Sequence, residues 1–181
     1  CGAQYTANTM ACVSEAIGLA LLNSSSAPAP YESRDQYGEA SGVAVMHLIE
    51  KNIRARDIVT RKALENAARV VGCTGGSTNA ALHLPALANE AGIDFDLFDV
   101  AACMKDTPYF VDLRPGGKYV AKDLHEVGGV AVVMKELAKE GLLHLDCITA
   151  SGKTLGESLE EIRGEADGRV IYHIGSPITK T

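Results

Sequence analysis

Apolar residues recur at helical spacing along most of the chain, and this pattern predicts a fold rich in helix. The first run indicates a helix over about 9–22, capped by Asn8 or Thr6. A second helix is expected over 33–51, opened by a capping-box pattern that begins at Ser33. We expect this second helix to bury one apolar face, made up of Tyr37, Ala40, Ala44 and Leu48.

The rest of the chain alternates helical runs with turn signals. Helix caps are expected at Thr60, Asp96 and Thr154. A further helix is expected over 123–140, opened by the pair Asp123 and Glu126. The Gly128-Gly129 pair inside it indicates close packing or a later helix start at Gly129. Short strands are expected over 142–149 and 170–174. These patterns together predict an α/β fold that is mostly helical.

Composition and charge restrict the class of protein. The chain has 181 residues, enough for one core, and a formal charge of −6 that gives no electrostatic reason to bind nucleic acid. No apolar run approaches the roughly 20 residues of a membrane helix, so no membrane association is expected. The five cysteines are odd in number and widely spaced, which is typical of a reducing compartment, and we expect a cytoplasmic protein.

Cys1 lies a few residues ahead of the first predicted helix. Unpaired backbone N–H groups and the positive end of the helix dipole there favour a thiolate over a thiol. A thiolate is the ligand that a metal ion or an iron–sulfur cluster needs. A single cysteine before a helix, taken alone, is more often a buried, inert thiol. Among the other cysteines, Cys73 is the best alternative ligand because it borders a glycine-rich loop.

That glycine-rich loop is the second candidate site. Its glycines allow backbone N–H groups to turn outward, and the following helix N-terminus adds positive potential for an anion. The side chains that would bind a substrate carboxylate there are Thr74, Ser77, Thr78 and Asn79. A helix cap with glycines chosen for tight packing is equally supported by the sequence. A phosphate-binding loop is excluded because no Gly-Lys-Ser/Thr follows.

Several long motifs resemble the dihydroxy-acid dehydratase family, and they occur in the family's order. They are Cys1–Ala11, Asp57–Asn66, Thr74–Ala80, Pro115–Val120, Asp123–Gly129 and Thr149–Leu155. The wider family also includes phosphogluconate and sugar-acid dehydratases. The motif Tyr-Thr-Ala-Asn-Thr at residues 5–9 is more similar to the dihydroxy-acid branch.

The resemblance implies an enzyme that removes water from a 2,3-dihydroxy acid to give a 2-oxo acid in valine and isoleucine biosynthesis. An iron–sulfur cluster, of the 2Fe-2S or 4Fe-4S type, would act as the Lewis acid, and Mg²⁺ would be a second cofactor. The resemblance assigns Cys1 to the third cluster ligand. The other two cysteines, the Mg²⁺ ligands and the catalytic serine would lie outside this chain, so it would contain no catalytic residue.

The resemblance also implies how the chain is divided. Because the family's enzymes are much longer, we interpret the chain as an internal fragment that is inactive alone. Residues 1–168 would form the second half of an N-terminal α/β domain, and residues 169–181 the first strand of a C-terminal β-barrel-like domain. The complete enzyme would be a homodimer acting on a small hydroxy acid. The alternatives are a sugar-acid (aldonate) dehydratase of the same family and a non-catalytic fragment.

Overall fold

The computed structural model of the chain describes residues 2–180. Within these residues, regular structure consists of nine helices. They are α1 (Thr6–Ile17), α2 (Ser33–Glu50), α3 (Ala55–Ile58), α4 (Arg61–Thr74), α5 (Ala80–Ala91), α6 (Leu97–Lys105), α7 (Ala121–Glu126), α8 (Gly129–Lys139) and α9 (Leu155–Glu160). No helix in this part of the chain is both long and apolar enough to cross a membrane.

Helix α4 occupies the centre of the core. Thr60 caps it by accepting a hydrogen bond from the Ala63 backbone N–H at 3.2 Å, as predicted. Its small residues let α1 and α6 pack closely on it, and α5 packs beside them. The residues that α4 buries include Ala63, Leu64, Ala67, Ala68, Val70 and Val71. The helix ends at Gly75, whose φ of 61° is a left-handed conformation that favours glycine.

Helix α1 begins earlier than predicted. Tyr5 occupies its N-cap position without a side-chain bond, so the predicted caps Asn8 and Thr6 are wrong. The helix ends at Gly18, which has a φ of 93° and accepts a backbone hydrogen bond from Ala150 at 2.7 Å. The side chains of Thr6 and Thr9 contact the glycine-rich loop.

Helix α2 forms where predicted but buries none of its residues. Of the four side chains expected in the core, Ala40 is exposed and the others are half-buried. The predicted capping box is also wrong, because the N-cap position is Glu32 and makes no side-chain bond. Within residues 2–180 no other helix packs extensively on α2. Its exposed apolar side chains include Val43, Val45, Met46 and Ile49.

The helix predicted over 123–140 is divided into α7 and α8. Gly128 and Gly129 have φ values of 106° and 68°, which break the helix between them. Asp123 is the third residue of α7 and accepts the backbone N–H of Val120 at 2.8 Å, so this helix begins earlier than expected. The caps predicted at Asp96 and Thr154 are confirmed, each within a capping box.

The two predicted strands do not form as strands. Residues 142–149 contribute one antiparallel bridge, from Ile148 to Thr154, and 170–174 contribute one from Ile171 to Val111. Elsewhere in the described chain, β-structure is likewise limited to isolated bridges. The helix-rich part of the predicted fold class is therefore observed. A strand ladder of the kind implied by an α/β fold is not observed within residues 2–180.

Residues 170–174 pack against the same core as the helices. Val170 and Ile171 are buried, and the backbone carbonyl of Val170 accepts a hydrogen bond from Asp112 at 2.9 Å. The buried carboxylate of Glu136 accepts the Ile174 backbone N–H at 3.0 Å. The division of the chain at residue 168 stays a prediction.

Candidate functional site

The segment that follows Cys1 is anchored by a buried glutamine. The side chain of Gln4 is 1% exposed, and its amide nitrogen donates to the Thr74 hydroxyl at 3.2 Å. Its amide oxygen accepts a hydrogen bond from the Asn8 side chain at 2.5 Å. Its backbone N–H donates to the Arg114 carbonyl at 2.7 Å. Gln4 thereby joins the start of α1, the end of α4 and the turn that follows Arg114.

The residues next to Cys1 are held as well. The carbonyl of Gly2 accepts the Ala121 backbone N–H at 2.9 Å, which places Gly2 beside the start of α7. Ala3 is buried. Cys1 itself lies outside the described residues, so its assignment as a cluster ligand stays a prediction.

The glycine-rich loop lies against the first turn of α1. The Ser77 backbone N–H donates to the Thr9 hydroxyl at 3.0 Å, and the Asn79 side-chain amide donates to the Thr6 hydroxyl at 2.7 Å. A Cβ atom at Gly76 would lie 2.9 Å from Thr9 Cγ2, so this close approach requires glycine. The glycine-rich loop is therefore packed against the first turn of α1.

The four predicted carboxylate-binding residues do not share one environment. Thr74 is fully buried, and its hydroxyl donates to the Val70 carbonyl at 2.7 Å while accepting from Gln4. Its hydroxyl therefore has both a donor and an acceptor within the core. Thr78 and Asn79 are exposed, and Ser77 is half-buried with its hydroxyl 3.2 Å from that of Thr6. The side chain of Asn79 does not cap α5, although Asn79 occupies the N-cap position.

A groove of about 380 Å³ opens beside Gly2, and no sequence pattern predicts it. It lies between the start of α1, the loop over 25–30 and the start of α7. The residues that line it are Gly2, Ala7, Asn8, Ala11, the 25–30 loop, Arg34, Val120, Ala121 and Lys122. These residues come from distant parts of the chain, and none of them is unusual by itself.

The wall of this groove is supported by a buried carboxylate. Glu15 is fully buried in α1 and accepts the backbone N–H groups of Asn23 at 2.7 Å and Ser26 at 2.9 Å. It also accepts the hydroxyls of Ser25 at 3.0 Å and Ser26 at 2.8 Å. Burial raises the pKa of the Glu15 carboxyl, and these hydrogen bonds act in the opposite direction. Glu15 therefore fixes the serine-rich turn that the sequence predicted only as a helix breaker.

The described cysteines are buried thiols. Cys12 and Cys73 are buried in the core, and burial raises the pKa of the Cys12 thiol to about 12 and that of Cys73 well above its usual value. Burial also raises the pKa of Cys103 and Cys147. Cys73 is 0% exposed, so its thiol has no open side on which a cluster could be bound, and it is a poor alternative to Cys1. Residues 2–180 contain no group of three or more Cys, His, Asp or Glu side chains that could hold a metal ion.

Comparison with known proteins identifies the family. The sequence model described as "Dihydroxy-acid/6-phosphogluconate dehydratase N-terminal" matches residues 1–158. The chain belongs to this family. The resemblance of its motifs is thereby confirmed.

The chain is also similar to individual dihydroxy-acid dehydratases along its whole length. It is 71% identical over 181 residues to the dihydroxy-acid dehydratase of Dinoroseobacter shibae and 63% identical to that of Parvibaculum lavamentivorans. It is 48% identical over 182 residues to the dihydroxy-acid dehydratase of Acidothermus cellulolyticus. Each alignment covers 100% of this chain but only 31% of the first two relatives and 33% of the third. The chain thus spans about a third of the length of these curated relatives.

Proposed function

We propose that the protein to which this chain belongs is a dihydroxy-acid dehydratase, which removes water from a 2,3-dihydroxy acid to give a 2-oxo acid in branched-chain amino-acid biosynthesis. The observation that carries the proposal is the 71% identity, over the entire chain, to a protein of that name. The segment 2–9 supports it, because Gln4 and Gly2 hold the residues after Cys1 in a defined position. We also propose a cytoplasmic homodimer as the complete enzyme.

The proposed reaction breaks a bond to a poor leaving group, the C3 hydroxyl. An iron–sulfur cluster with an open iron position would supply the Lewis acid that takes up the developing charge on that oxygen. In our proposal Cys1 contributes one thiolate to the cluster. The described residues do not complete such a site, since their cysteines are buried thiols and no metal-binding group occurs among them. We therefore propose that the remaining cluster ligands, and those of Mg²⁺, come from outside this chain.

Within the chain, we propose that the exposed rim of the glycine-rich loop binds the substrate carboxylate. The support is its position against the 2–9 segment, together with the exposure of Thr78 and Asn79. The buried Thr74 has a different role in this proposal, because its hydroxyl receives the Gln4 hydrogen bond and holds the loop in place. Hydrogen bonds from neutral donors to a carboxylate are stronger than those between neutral groups, so one well-placed hydroxyl can affect substrate capture measurably.

The proposed function is tested with the complete protein after anaerobic reconstitution of iron and sulfide. We expect dehydration of a branched 2,3-dihydroxy acid and much slower dehydration of an aldonic acid. The chain alone, reconstituted in parallel, should show no turnover because it lacks the other proposed ligands. Preference for the aldonic acid would contradict the substrate assignment. Turnover by the chain alone would contradict its description as an incomplete part of the enzyme.

A further inference from the structure

We propose that helix α2 and the groove beside Gly2 together form a docking surface for the stretch of the same polypeptide that precedes Cys1 in the complete protein. The proposal rests on the proposed function in one respect, namely that this chain is part of a longer protein. It does not depend on the reaction that the complete protein catalyses.

Helix α2 has the composition of a buried helix. Between Tyr37 and Ile49, the only residue with a formal charge is Glu39. A helix with so few charges on any side is normally covered by other parts of a protein. Within residues 2–180, however, α2 buries none of its residues, and Val45 and Ile49 are 53% and 66% exposed. The helix therefore lacks, in the described part of the chain, the partner that its composition requires.

The groove beside Gly2 continues along one side of α2. A second cavity, of about 250 Å³, lies between the serine-rich turn and the residues Gly38 and Ser41 of α2. Ser25 and Arg34 line both cavities, so the two form one depression. Residues three or four positions apart share a side of a helix, so the exposed Val45 lies on this side as well. We call this side the groove-side flank of α2, and it consists of Arg34, Gly38, Ser41 and Val45.

The lining of this depression specifies the chemistry of its occupant. Alanine and proline side chains form much of the wall, so an apolar occupant is favoured. A Cβ atom at Gly38 would meet nothing within 4 Å, and another backbone could therefore approach α2 closely there. The charged residues in the lining are Arg34 and Lys122. Both are cations, so any charge on the occupant should be negative.

Arg34 is the cation that is held in place. Its Nη1 donates to the Ala27 carbonyl at 2.7 Å, which fixes the side chain against the 25–30 loop. A guanidinium carries five N–H donors, so others remain for a carboxylate. The ammonium of Lys122 lies 3.4 Å from the Glu126 carboxylate and already has a partner. We therefore expect the occupant to be an apolar segment with an Asp or Glu side chain opposite Arg34.

The position of Gly2 indicates which part of the polypeptide occupies this surface. Gly2 lines the groove, and its carbonyl accepts the Ala121 backbone N–H at 2.9 Å, so a polypeptide joined to Cys1 continues from the edge of the groove. Residues within 174–180 line a separate cavity that shares no residue with the groove. The chain covers only 31% of the length of its relatives, which leaves ample polypeptide to cover the surface. A covalently joined segment also has a much higher effective concentration than a second copy.

The experiment identifies the occupant by photo-cross-linking in the complete protein. A diazirine amino acid replaces Val45 and, as the matched control, Val43. Both side chains are exposed within residues 2–180, but two positions correspond to about 200° around a helix, so Val43 faces away from the groove-side flank. We expect the probe at position 45 to form a cross-link within one polypeptide, to an apolar peptide that precedes Cys1 and contains Asp or Glu. The probe at position 43 should not form this product.

A smaller probe tests the same burial without a bulky side chain. In the native complete protein, Val45→Cys should react with a maleimide at least about tenfold more slowly than Val43→Cys. In urea the two cysteines should react at equal rates. Mass spectrometry of peptides separates these positions from the native cysteines.

Three results would overturn the proposal. Cross-links from position 45 in a product of dimer mass would assign the surface to a second copy. Cross-links to residues that follow Thr181 would assign it to the other end of the polypeptide. Equal maleimide rates at positions 43 and 45 in the native protein would show that the surface is open to solvent. Because none of these measurements uses turnover, a protein that gives the expected cross-link but does not dehydrate a 2,3-dihydroxy acid would contradict the proposed function alone.

Discussion

The side-chain amide of Gln4 donates a hydrogen bond to the Thr74 hydroxyl at 3.2 Å, across 70 positions of sequence. This bond connects the segment that follows Cys1 with the last turn of the central helix α4. Thr74 in turn donates to the Val70 carbonyl, so its hydroxyl has both a donor and an acceptor within the core. The relationship makes Thr74 part of the support for the candidate site.

Gln4→Leu should destabilise the chain. The substitution keeps a similar volume but leaves the Asn8 amide without its buried acceptor and Thr74 without its donor. Buried polar groups that lose their partner typically cost about 1–3 kcal/mol, and we expect the free energy of unfolding to fall by that amount. Urea unfolding followed by circular dichroism measures it. Gln36→Leu on the exposed side of α2 is the control, and equal losses for both variants would show that Gln4 has no special role.

Thr78→Val tests the substrate-binding proposal for the loop. Thr78 is exposed, so removing its hydroxyl should leave the thermal midpoint of the complete enzyme unchanged. If the hydroxyl binds the substrate carboxylate, kcat/KM should fall about ten- to a hundredfold. Ser77→Ala is the contrasting variant, because it removes the hydroxyl that contacts Thr6 and should lower the midpoint. An unchanged kcat/KM in Thr78→Val would leave the loop with a structural role only.

Two glycine-to-alanine substitutions should have opposite effects on stability. Gly42 lies inside α2, and an added Cβ would meet nothing within 4 Å. Gly42→Ala should therefore raise the free energy of unfolding of the chain by about 0.5–1 kcal/mol. At Gly128 the φ of 106° is left-handed, and an added Cβ would lie 2.4 Å from Val132 Cγ2. Gly128→Ala should lower the free energy of unfolding by more than about 1 kcal/mol. Urea unfolding measures both variants, and changes of the same sign would contradict the prediction.

Glu15 should make stability depend on pH. Burial raises its folded-state pKa above the usual 4.5, so the folded state holds this proton more tightly than the unfolded state. The stability that this group contributes is fully present below its unfolded pKa and is lost as pH rises through the folded pKa. Relative to Glu15→Gln, the native chain should lose free energy of unfolding as pH rises above 4.5. A difference between the two proteins that stays constant or grows with pH in urea unfolding would be inconsistent with this mechanism.

The features predicted correctly from the sequence are those with local causes. Thr60, Asp96 and Thr154 cap their helices through bonds to residues two or three positions away, so the sequence pattern contains the whole interaction. The apolar face of α4 also has a local cause, since the helical period of its apolar residues identifies the buried side. The binding role of the glycine-rich loop stays a prediction, and its contact with α1 was not predicted.

The features missed depend on distant contacts. The apolar face of α2 was expected to be buried, but burial requires a partner surface that residues 2–180 do not provide. The stretch 142–149 has strand-like composition, but residues 2–180 contain no neighbouring strand with which it could form a ladder. Thr74 has a hydroxyl that is hydrogen-bonded within the core, and Glu15 has a buried carboxylate. Their neighbours in the sequence do not distinguish these two residues from surface residues. The groove that Glu15 supports could be found only in three dimensions.

The most direct test of the central claim is the iron content and turnover of the complete protein carrying Cys1→Ser. An alkoxide is a poorer ligand for iron than a soft thiolate, so even this nearly isosteric change should matter. Cys103→Ser is the matched control. Burial raises the pKa of the Cys103 thiol, and within the described chain Cys103 belongs to no group of side chains that could hold a metal ion. The account predicts that Cys1→Ser loses both the visible cluster absorbance and the dehydration of a 2,3-dihydroxy acid, whereas Cys103→Ser keeps both. Full iron content and an unchanged rate in Cys1→Ser would contradict it.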